Sequence, residues 1–185
     1  NYGIAWCLMQ QDEYAEALQQ LQPLLRQNLR DTIAAEAQLA AGICLRKTDQ
    51  IEAAIAALKK FLDTQPTGTS LANGLYELGL AYTQQEDLAE ASRFFQRIVE
   101  EVPDYAALDQ VLYELAWNAQ DAGEPTKANK YFQRLADEFP QSEYAAEASY
   151  MLAQQQYDAQ QFDRAAQTYT SVLERTQDAE LREKT

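Results

Sequence analysis

Two tyrosine–glutamate pairs stand at a fixed interval and are the first candidates for chemistry in this sequence. Tyr76 and Glu77 are followed 37 residues later by Tyr113 and Glu114, each pair inside the letters Leu-Tyr-Glu-Leu. A phenol beside a carboxylate can serve general acid–base catalysis, or it can contact a partner through an aromatic face and a negative charge. The rest of the sequence has to decide between these two uses.

The composition argues against catalysis. The 185 residues include no histidine, so serine–histidine pairs, cysteine–histidine pairs and histidine-ligated metal sites cannot form within the chain. Cys7 and Cys44 also stand 37 residues apart, which would put their helices roughly 8 to 10 Å apart, too far for a disulfide. We expect both thiols to be small core residues. We therefore expect a protein that is not an enzyme and uses no cofactor or metal.

The interval of 37 residues recurs along the whole chain and indicates an internal repeat. Five units of 37 fill the 185 residues. Three columns carry the repeat: small residues at Ala5, Gly42, Gly79, Ala116 and Ala153; alanines at Ala17, Ala54, Ala91, Ala128 and Ala165; and large residues at Leu21, Leu58, Phe95, Phe132 and Tyr169. Small residues opposite large ones allow two helices to cross closely, so these columns predict paired helices with a shared core.

Each unit is predicted to contain two helices joined by a tight turn. Apolar residues in 71–82 recur at three- and four-residue steps, and those in 87–99 do the same after a short polar break. Gly123 and Pro125 are typical of one helix end and the next helix start. Prolines then follow the second helix of three units: Pro66, Pro103 and Pro140. Stacked hairpins of this kind bury a continuous core and form a solenoid.

This pattern resembles the tetratricopeptide repeat, in which a small residue such as Gly79 is followed by Ala91, Phe95 and Pro103. The family's usual repeat is about 34 residues. The longer period and the cadence FPQSEYAAEASYMLA in 139–153 are similar to repeats of bacterial envelope proteins, namely the outer-membrane assembly lipoprotein and the Tol/Pal-associated periplasmic proteins. The resemblance implies an all-α, right-handed α-solenoid in the periplasm or cell envelope of a bacterium, with the cytoplasm as the alternative.

We expect one solenoid domain over residues 1–177. Its five repeats are expected at about 1–30, 31–67, 68–104, 105–141 and 142–177. Residues 178–185 are expected to begin a further repeat that is cut short, so the chain is interpreted as a piece of a longer array.

The resemblance also implies where a partner would bind. In tetratricopeptide arrays the fifth and ninth places of each first helix usually point into a concave groove. These places give the expected groove residues Tyr2, Trp6, Tyr76, Tyr113, Trp117 and Tyr150. Glu77 and Glu114, at the sixth place, and Tyr157 are expected to join them. Glu36 and Glu147 lie beside them, so the groove should favour an apolar segment with some Lys or Arg. The same tyrosines could instead pack on neighbouring helices with only their hydroxyls in water, and the sequence leaves both interpretations open.

The sequence favours a protein–protein interaction scaffold over nucleic acid or lipid binding, over a spacer or self-assembling module, and over glycan binding. A formal charge of −14 opposes binding to nucleic acid or anionic lipid, and no apolar run is long enough to span a membrane. One alternative is a spacer, or a module that assembles end to end into homo-oligomers through apolar residues of its last helix: Phe162, Tyr169 and Val172. A weaker alternative is glycan binding, because aromatic faces beside carboxylates also suit sugars.

One established use of such arrays is disfavoured by the residues themselves. Arrays that grip a C-terminal carboxylate are similar to one another in placing Lys, Asn and Arg at the groove positions. Here Asn73 is the only polar match, and Arg46 and Lys47 stand near a helix end, where cations are common. We therefore expect no carboxylate clamp.

Overall fold

The structure is a computed structural model that describes residues 1–26, 32–176 and 179–185. Within these ranges the regular structure consists of eleven α-helices. They are α1 (Tyr2–Met9), α2 (Tyr14–Leu25), α3 (Thr32–Lys47), α4 (Ile51–Leu62), α5 (Gly68–Gln84), α6 (Leu88–Glu101), α7 (Leu108–Asp121), α8 (Pro125–Glu138), α9 (Ala145–Asp158), α10 (Phe162–Arg175) and α11 (Ala179–Lys184). The expected repeat boundaries at 30/31 and 177/178 lie outside the described residues. The predicted all-α class is confirmed.

The chain divides into two compact units, residues 1–105 and residues 106–185. In the first unit α1 pairs with α2, α3 with α4 and α5 with α6, while α2 packs on α3 and α4 on α5. In the second unit α7 pairs with α8 and α9 with α10, and α8 packs on α9. Each unit is therefore a stack of helical hairpins, as the sequence predicts.

Every hairpin turns through one residue in the left-handed backbone region. These residues are Asp12, Asp49, Glu86, Gly123 and Gln160, with φ between 60° and 72°, and they stand 37 residues apart. In the third hairpin the N–H of Glu86 donates to the carbonyl of Thr83, and that of Asp87 to the carbonyl of Tyr82. This pair of bonds is a Schellman motif, which satisfies the last carbonyls of the first helix. The predicted tight turn is confirmed, although only Gly123 among the five is a glycine.

The predicted contact of small and large residues lies in the core of the hairpins α3–α4 and α5–α6. A Cβ atom on Gly42 would lie 2.5 Å from Cγ of Leu58, and one on Gly79 would overlap the ring of Phe95. Both large side chains are fully buried. Glycine at these places therefore lets the two helices approach closely, because any side chain would displace its neighbour.

The cysteines differ from each other, so the expectation that both are core residues is wrong for one of them. Cys44 is buried, whereas Cys7 is exposed. The reason is the number of neighbours: α3 packs on α1, α2, α4 and α5, whereas α1 packs mainly on α2. Burial raises the pKa of the Cys44 thiol to about 11.

The last paired helix also differs from its expectation. Val172 was expected to be exposed and is 1% exposed, and Tyr169 packs with its ring centroid 5.7 Å from that of Tyr150. Beside them, Arg182 of α11 donates through Nη1 to the carbonyl of Leu173 at 2.7 Å. Phe162 alone of the three expected residues is largely exposed. Val172 is therefore covered within this unit, whereas Tyr169 is half-buried and Phe162 remains accessible, and the end-to-end contact stays a prediction.

Candidate functional site

A cavity of about 390 Å³ lies in the unit of residues 1–105 and is called the aromatic cavity below. It is formed by the first helices of three hairpins, α1, α3 and α5, together with Tyr105. Its lining residues are Tyr2, Trp6, Glu36, Leu39, Ala40, Ile43, Asn73, Tyr76, Glu77 and Tyr105. Four residues expected from the sequence, Tyr2, Trp6, Tyr76 and Glu77, are thus brought together at one site.

The repeat explains why these side chains meet. Tyr2, Leu39 and Tyr76 occupy equivalent places on α1, α3 and α5, since they are separated by 37 residues. Trp6 and Ile43 follow four residues later, which is about one turn further along the same face of a helix. Equivalent faces of stacked hairpins point the same way, so a recurring aromatic column becomes one wall.

The aromatic residues of the cavity differ in how much surface they leave uncovered. Trp6 is 51% exposed, whereas Tyr2 and Tyr76 are half-buried. The ring of Tyr76 also packs against Phe95, with centroids 5.7 Å apart. Tyr76 therefore combines the two roles that the sequence left open, because it packs on the core and also lines the cavity.

A buried ion pair at the edge of the cavity was missed by the sequence analysis. Nε of Arg46 lies 2.7 Å from Oε2 of Glu77, and the side chains are 8% and 15% exposed. The sequence predicts only an ordinary cation near a helix C-terminus at Arg46. The signal was weak, because the two residues are 31 positions apart and the places equivalent to Arg46 in the other repeats hold no basic residue: Met9, Thr83, Gln120 and Tyr157.

Two further hydrogen bonds fix polar groups in the cavity wall. Ser70 donates through Oγ to Oε1 of Glu36 at 2.8 Å, and Tyr105 donates through Oη to Oδ1 of Asn73 at 2.8 Å. Burial and the nearby Glu36 carboxylate raise the pKa of Tyr2. Asn73, the polar match to a carboxylate clamp, is thus engaged by a tyrosine.

Tyr105 is a cavity residue that the sequence analysis did not identify. It lies between α6 and α7, two residues after Pro103, and not on a first helix. Burial and then the charge of Glu77 raise its pKa. The available signal was an aromatic residue shortly after a helix-ending proline, which also occurs at Tyr144 after Pro140.

The unit of residues 106–185 brings Tyr113, Glu114 and Trp117 together on α7. Tyr113 donates through Oη to Oε2 of Glu147 at 2.8 Å, and its ring centroid lies 4.6 Å from that of Tyr144. The pKa of Tyr113 is raised to about 12, first by burial and then by the hydrogen bond and charge of Glu147, with a smaller increase from Glu114. The hydroxyl of Tyr113 is therefore committed to a bond inside the unit.

Trp117 is held inside the same unit. Its ring packs edge-on against Phe132, with centroids 5.8 Å apart. Its Nε1 is buried and has no hydrogen-bond acceptor among the described residues. The indole N–H is near the hydroxyl of Tyr113 and opposes part of the increase in the pKa of Tyr113. The two groups do not have the geometry of a hydrogen bond. Trp117 therefore contributes mainly to packing.

The two expected residues of α9 contact α10 separately. Tyr150 packs against Tyr169, and Tyr157 packs against Phe162 with ring centroids 5.4 Å apart. Tyr157 and Phe162 are 54% and 56% exposed. Of the expected residues in this unit, Tyr157 thus presents the most accessible ring.

Neither a metal-binding cluster nor a membrane-spanning helix occurs in the described ranges. No group of three or more His, Cys, Asp or Glu residues there has the geometry to hold a metal ion. No helix in those ranges has the length and apolar character needed to cross a bilayer.

The sequence matches one protein family over nearly its whole length. The YfiO family model, described as an outer membrane lipoprotein, matches residues 2–179. No curated protein matches the chain significantly.

Solved structures with the same fold include three bacterial proteins. MamA from Desulfovibrio magneticus is 21% identical, with 96% of this chain and 94% of that chain covered and a TM-score of 0.74. PilF from Pseudomonas aeruginosa is 16% identical, with coverages of 97% and 77% and a TM-score of 0.77. A tetratricopeptide repeat protein from Parabacteroides merdae is 14% identical, with coverages of 98% and 68% and a TM-score of 0.77. At these identities the likeness shows the fold, and it confirms the predicted tetratricopeptide solenoid.

Proposed function

We propose that this chain, which belongs to the YfiO outer membrane lipoprotein family, is a non-catalytic scaffold that holds a segment of another protein in its aromatic cavity. Tetratricopeptide-type folds are typically protein–protein interaction scaffolds, because stacked hairpins create extended binding surfaces. The family description supports a place in the bacterial cell envelope, where the partner would also be found.

The aromatic cavity is the observation that carries this proposal. Its volume of about 390 Å³ lies at the small end of ligand-sized pockets, which suits a few side chains of a peptide. Trp6 leaves half of its surface uncovered beside Tyr2 and Tyr76. Tryptophan and tyrosine in such positions dominate binding energies at protein interfaces, since they bring large apolar area with few rotatable bonds.

The polar groups of the cavity support binding over catalysis. The hydroxyl of Ser70 donates to Glu36, that of Tyr105 donates to Asn73, and Glu77 is paired with Arg46. A nucleophile or general base needs a partner that activates it, whereas these groups orient one another. The absence of histidine from the sequence removes the commonest such partner.

The unit of residues 106–185 has a smaller part in the proposal. Tyr113 and Trp117 are engaged in contacts within that unit, so they support the second repeat stack more than a binding surface. Glu114 lies on α7 beside Tyr113, and Tyr150 packs on α10. Tyr157, which is exposed, remains the residue of this unit that we propose as a partner contact.

A selection from a random peptide library displayed on phage tests the proposal. Peptides selected on the 185-residue chain should bind at least tenfold more weakly to the variants Trp6→Ala and Tyr76→Ala, because each removes an aromatic wall of the cavity. The matched control is Ile4→Ala on the same helix α1, since Ile4 is 55% exposed and does not line the cavity. Circular dichroism of every variant verifies that the helices are retained.

Two results would contradict the proposal. Selected peptides that bind Trp6→Ala and Tyr76→Ala as tightly as the unchanged chain would place binding elsewhere. An equal loss in Ile4→Ala would indicate that peptide binding does not depend on the cavity.

A further inference from the structure

We infer that Glu36 sets the charge specificity of the aromatic cavity, so that the preferred segment carries a Lys or Arg next to a large apolar side chain. This inference rests on the proposed function and adds the chemistry of the partner. It follows from the different surroundings of the two carboxylates that line the cavity, Glu36 on α3 and Glu77 on α5.

The charge of Glu77 is already balanced inside the protein. Its Oε2 accepts a hydrogen bond from Nε of Arg46 at 2.7 Å, and both side chains are largely buried. A partner cation would have to compete with a guanidinium that is held in place and mostly shielded from water. Glu77 is therefore a poor receptor for a Lys or Arg of a partner.

Glu36 has no basic partner among the described residues, so no cation there balances its negative charge. Ser70 donates to Oε1, and this neutral hydroxyl fixes the carboxylate without cancelling its charge. The phenol of Tyr2 is near, and its raised pKa keeps it neutral in the ordinary pH range. Across residues 1–26, 32–176 and 179–185, no Lys or Arg lies within ion-pair distance of Glu36. Oε2 is thus left without a donor in the described ranges, so it is the oxygen to which the partner's Lys or Arg would donate.

The rest of the lining favours a cation with an apolar neighbour. Apart from the two carboxylates, the lining side chains carry no charge, and Trp6, Leu39 and Ile43 supply apolar surface. Aromatic faces attract Lys and Arg as well as apolar groups. The formal charge of −14 on the chain further repels an acidic segment. A partner segment that places a basic residue beside Glu36 and an apolar residue against Trp6 would use all of these features.

Parallel peptide selections on the full 185-residue chain test the inference. One selection uses the unchanged chain, the second Glu36→Gln, and the third the control Glu52→Gln, which removes one negative charge from an exposed place on α4. The side-chain amide in Glu36→Gln can still accept the hydrogen bond from Ser70, so the fold should be retained. Synthetic copies of the strongest peptide, with its basic residue unchanged or replaced by Gln, then provide dissociation constants.

The expected result is a Lys or Arg enrichment of at least threefold in peptides from the unchanged chain and from Glu52→Gln, and none from Glu36→Gln. The Gln-substituted peptide should bind the unchanged chain about tenfold more weakly than the basic peptide does. The two peptides should bind Glu36→Gln equally well.

The inference is overturned if the enrichment persists in Glu36→Gln, or if Glu52→Gln weakens binding as much as Glu36→Gln does. In either case a loss of binding in Trp6→Ala would leave the proposed function intact. If Trp6→Ala and Tyr76→Ala both bind normally, the proposed function itself fails.

Discussion

Nε of Arg46 lies 2.7 Å from Oε2 of Glu77, and the two residues belong to first helices of neighbouring hairpins, α3 and α5. The pair joins the two helices beside the aromatic cavity. It also balances the charge of one of the two cavity carboxylates, which leaves Glu36 as the acidic residue that we propose for a partner's Lys or Arg.

Replacing Glu77 should therefore be costly. Glu77→Ala leaves the guanidinium of Arg46 buried without its partner, which typically destabilises a protein by about 3 to 5 kcal/mol. The measurement is urea unfolding followed by the helical circular dichroism signal. The control is Glu101→Ala in α6, which breaks an exposed pair with Arg97 and should cost at most about 1 kcal/mol. Equal losses in the two variants would mean that the buried pair has no special importance.

The left-handed turn residues offer a stabilising change. Gln160 has a φ of 60°, a conformation that costs a residue with a Cβ atom about 1 kcal/mol relative to glycine. Gln160→Gly should therefore raise the free energy of unfolding by about that amount, and the melting temperature reports it. The neighbouring change Gln161→Gly is the control, because Gln161 has a φ of −88°; glycine there adds freedom to the unfolded chain and removes an exposed hydrogen bond from Arg164, so it should not stabilise. A decrease in both variants would show that the turn is not strained at Gln160.

The two thiols should react at very different rates. Cys44 is buried with a pKa of about 11, so at a pH of about 8 only roughly a thousandth of it is thiolate, the reactive form. Cys7 is exposed. Labelling with a disulfide reagent should give one fast and one slow phase, slower by about a hundredfold or more. Cys7→Ser should remove the fast phase, and Cys44→Ser should remove the slow phase. Two fast-reacting thiols would contradict the burial of Cys44.

Tyr113 should titrate at unusually high pH. Burial and its hydrogen bond to Glu147 raise its pKa from 10.0 to about 12. The folded state thus keeps a proton that the unfolded state loses near pH 10, so this stabilising contribution is complete below about pH 10 and is lost as the pH rises towards about 12. The difference in tyrosinate absorbance between the unchanged chain and Tyr113→Phe measures the titration directly.

Glu147→Gln separates the two causes of that increase. It removes the charge beside Tyr113 but leaves the burial, so the pKa should fall while staying above 10.0. A Tyr113 that titrates near 10 in the unchanged chain would show that the ring is more accessible to water than the structure describes.

Most of the fold could be predicted from residue spacing. The column of Gly42 and Gly79 indicated where helices cross, and Leu58 and Phe95 indicated what fills the adjoining space. These features depend on contacts within one hairpin, and every hairpin repeats them. Part of the candidate site followed from the same reasoning, since Tyr2 and Tyr76 share a wall because they share a place in the repeat.

The sequence by itself thus determined the helices, their pairing, the period and the aromatic column of the cavity, because each depends on local spacing that recurs every 37 residues. Only the tertiary structure decided which polar groups are paired. Arg46 meets Glu77 and Ser70 meets Glu36 across neighbouring hairpins, at distances set by side-chain rotamers and by small rotations between repeats. Periodicity does not encode those rotations, and they determine which carboxylate is paired with a cation.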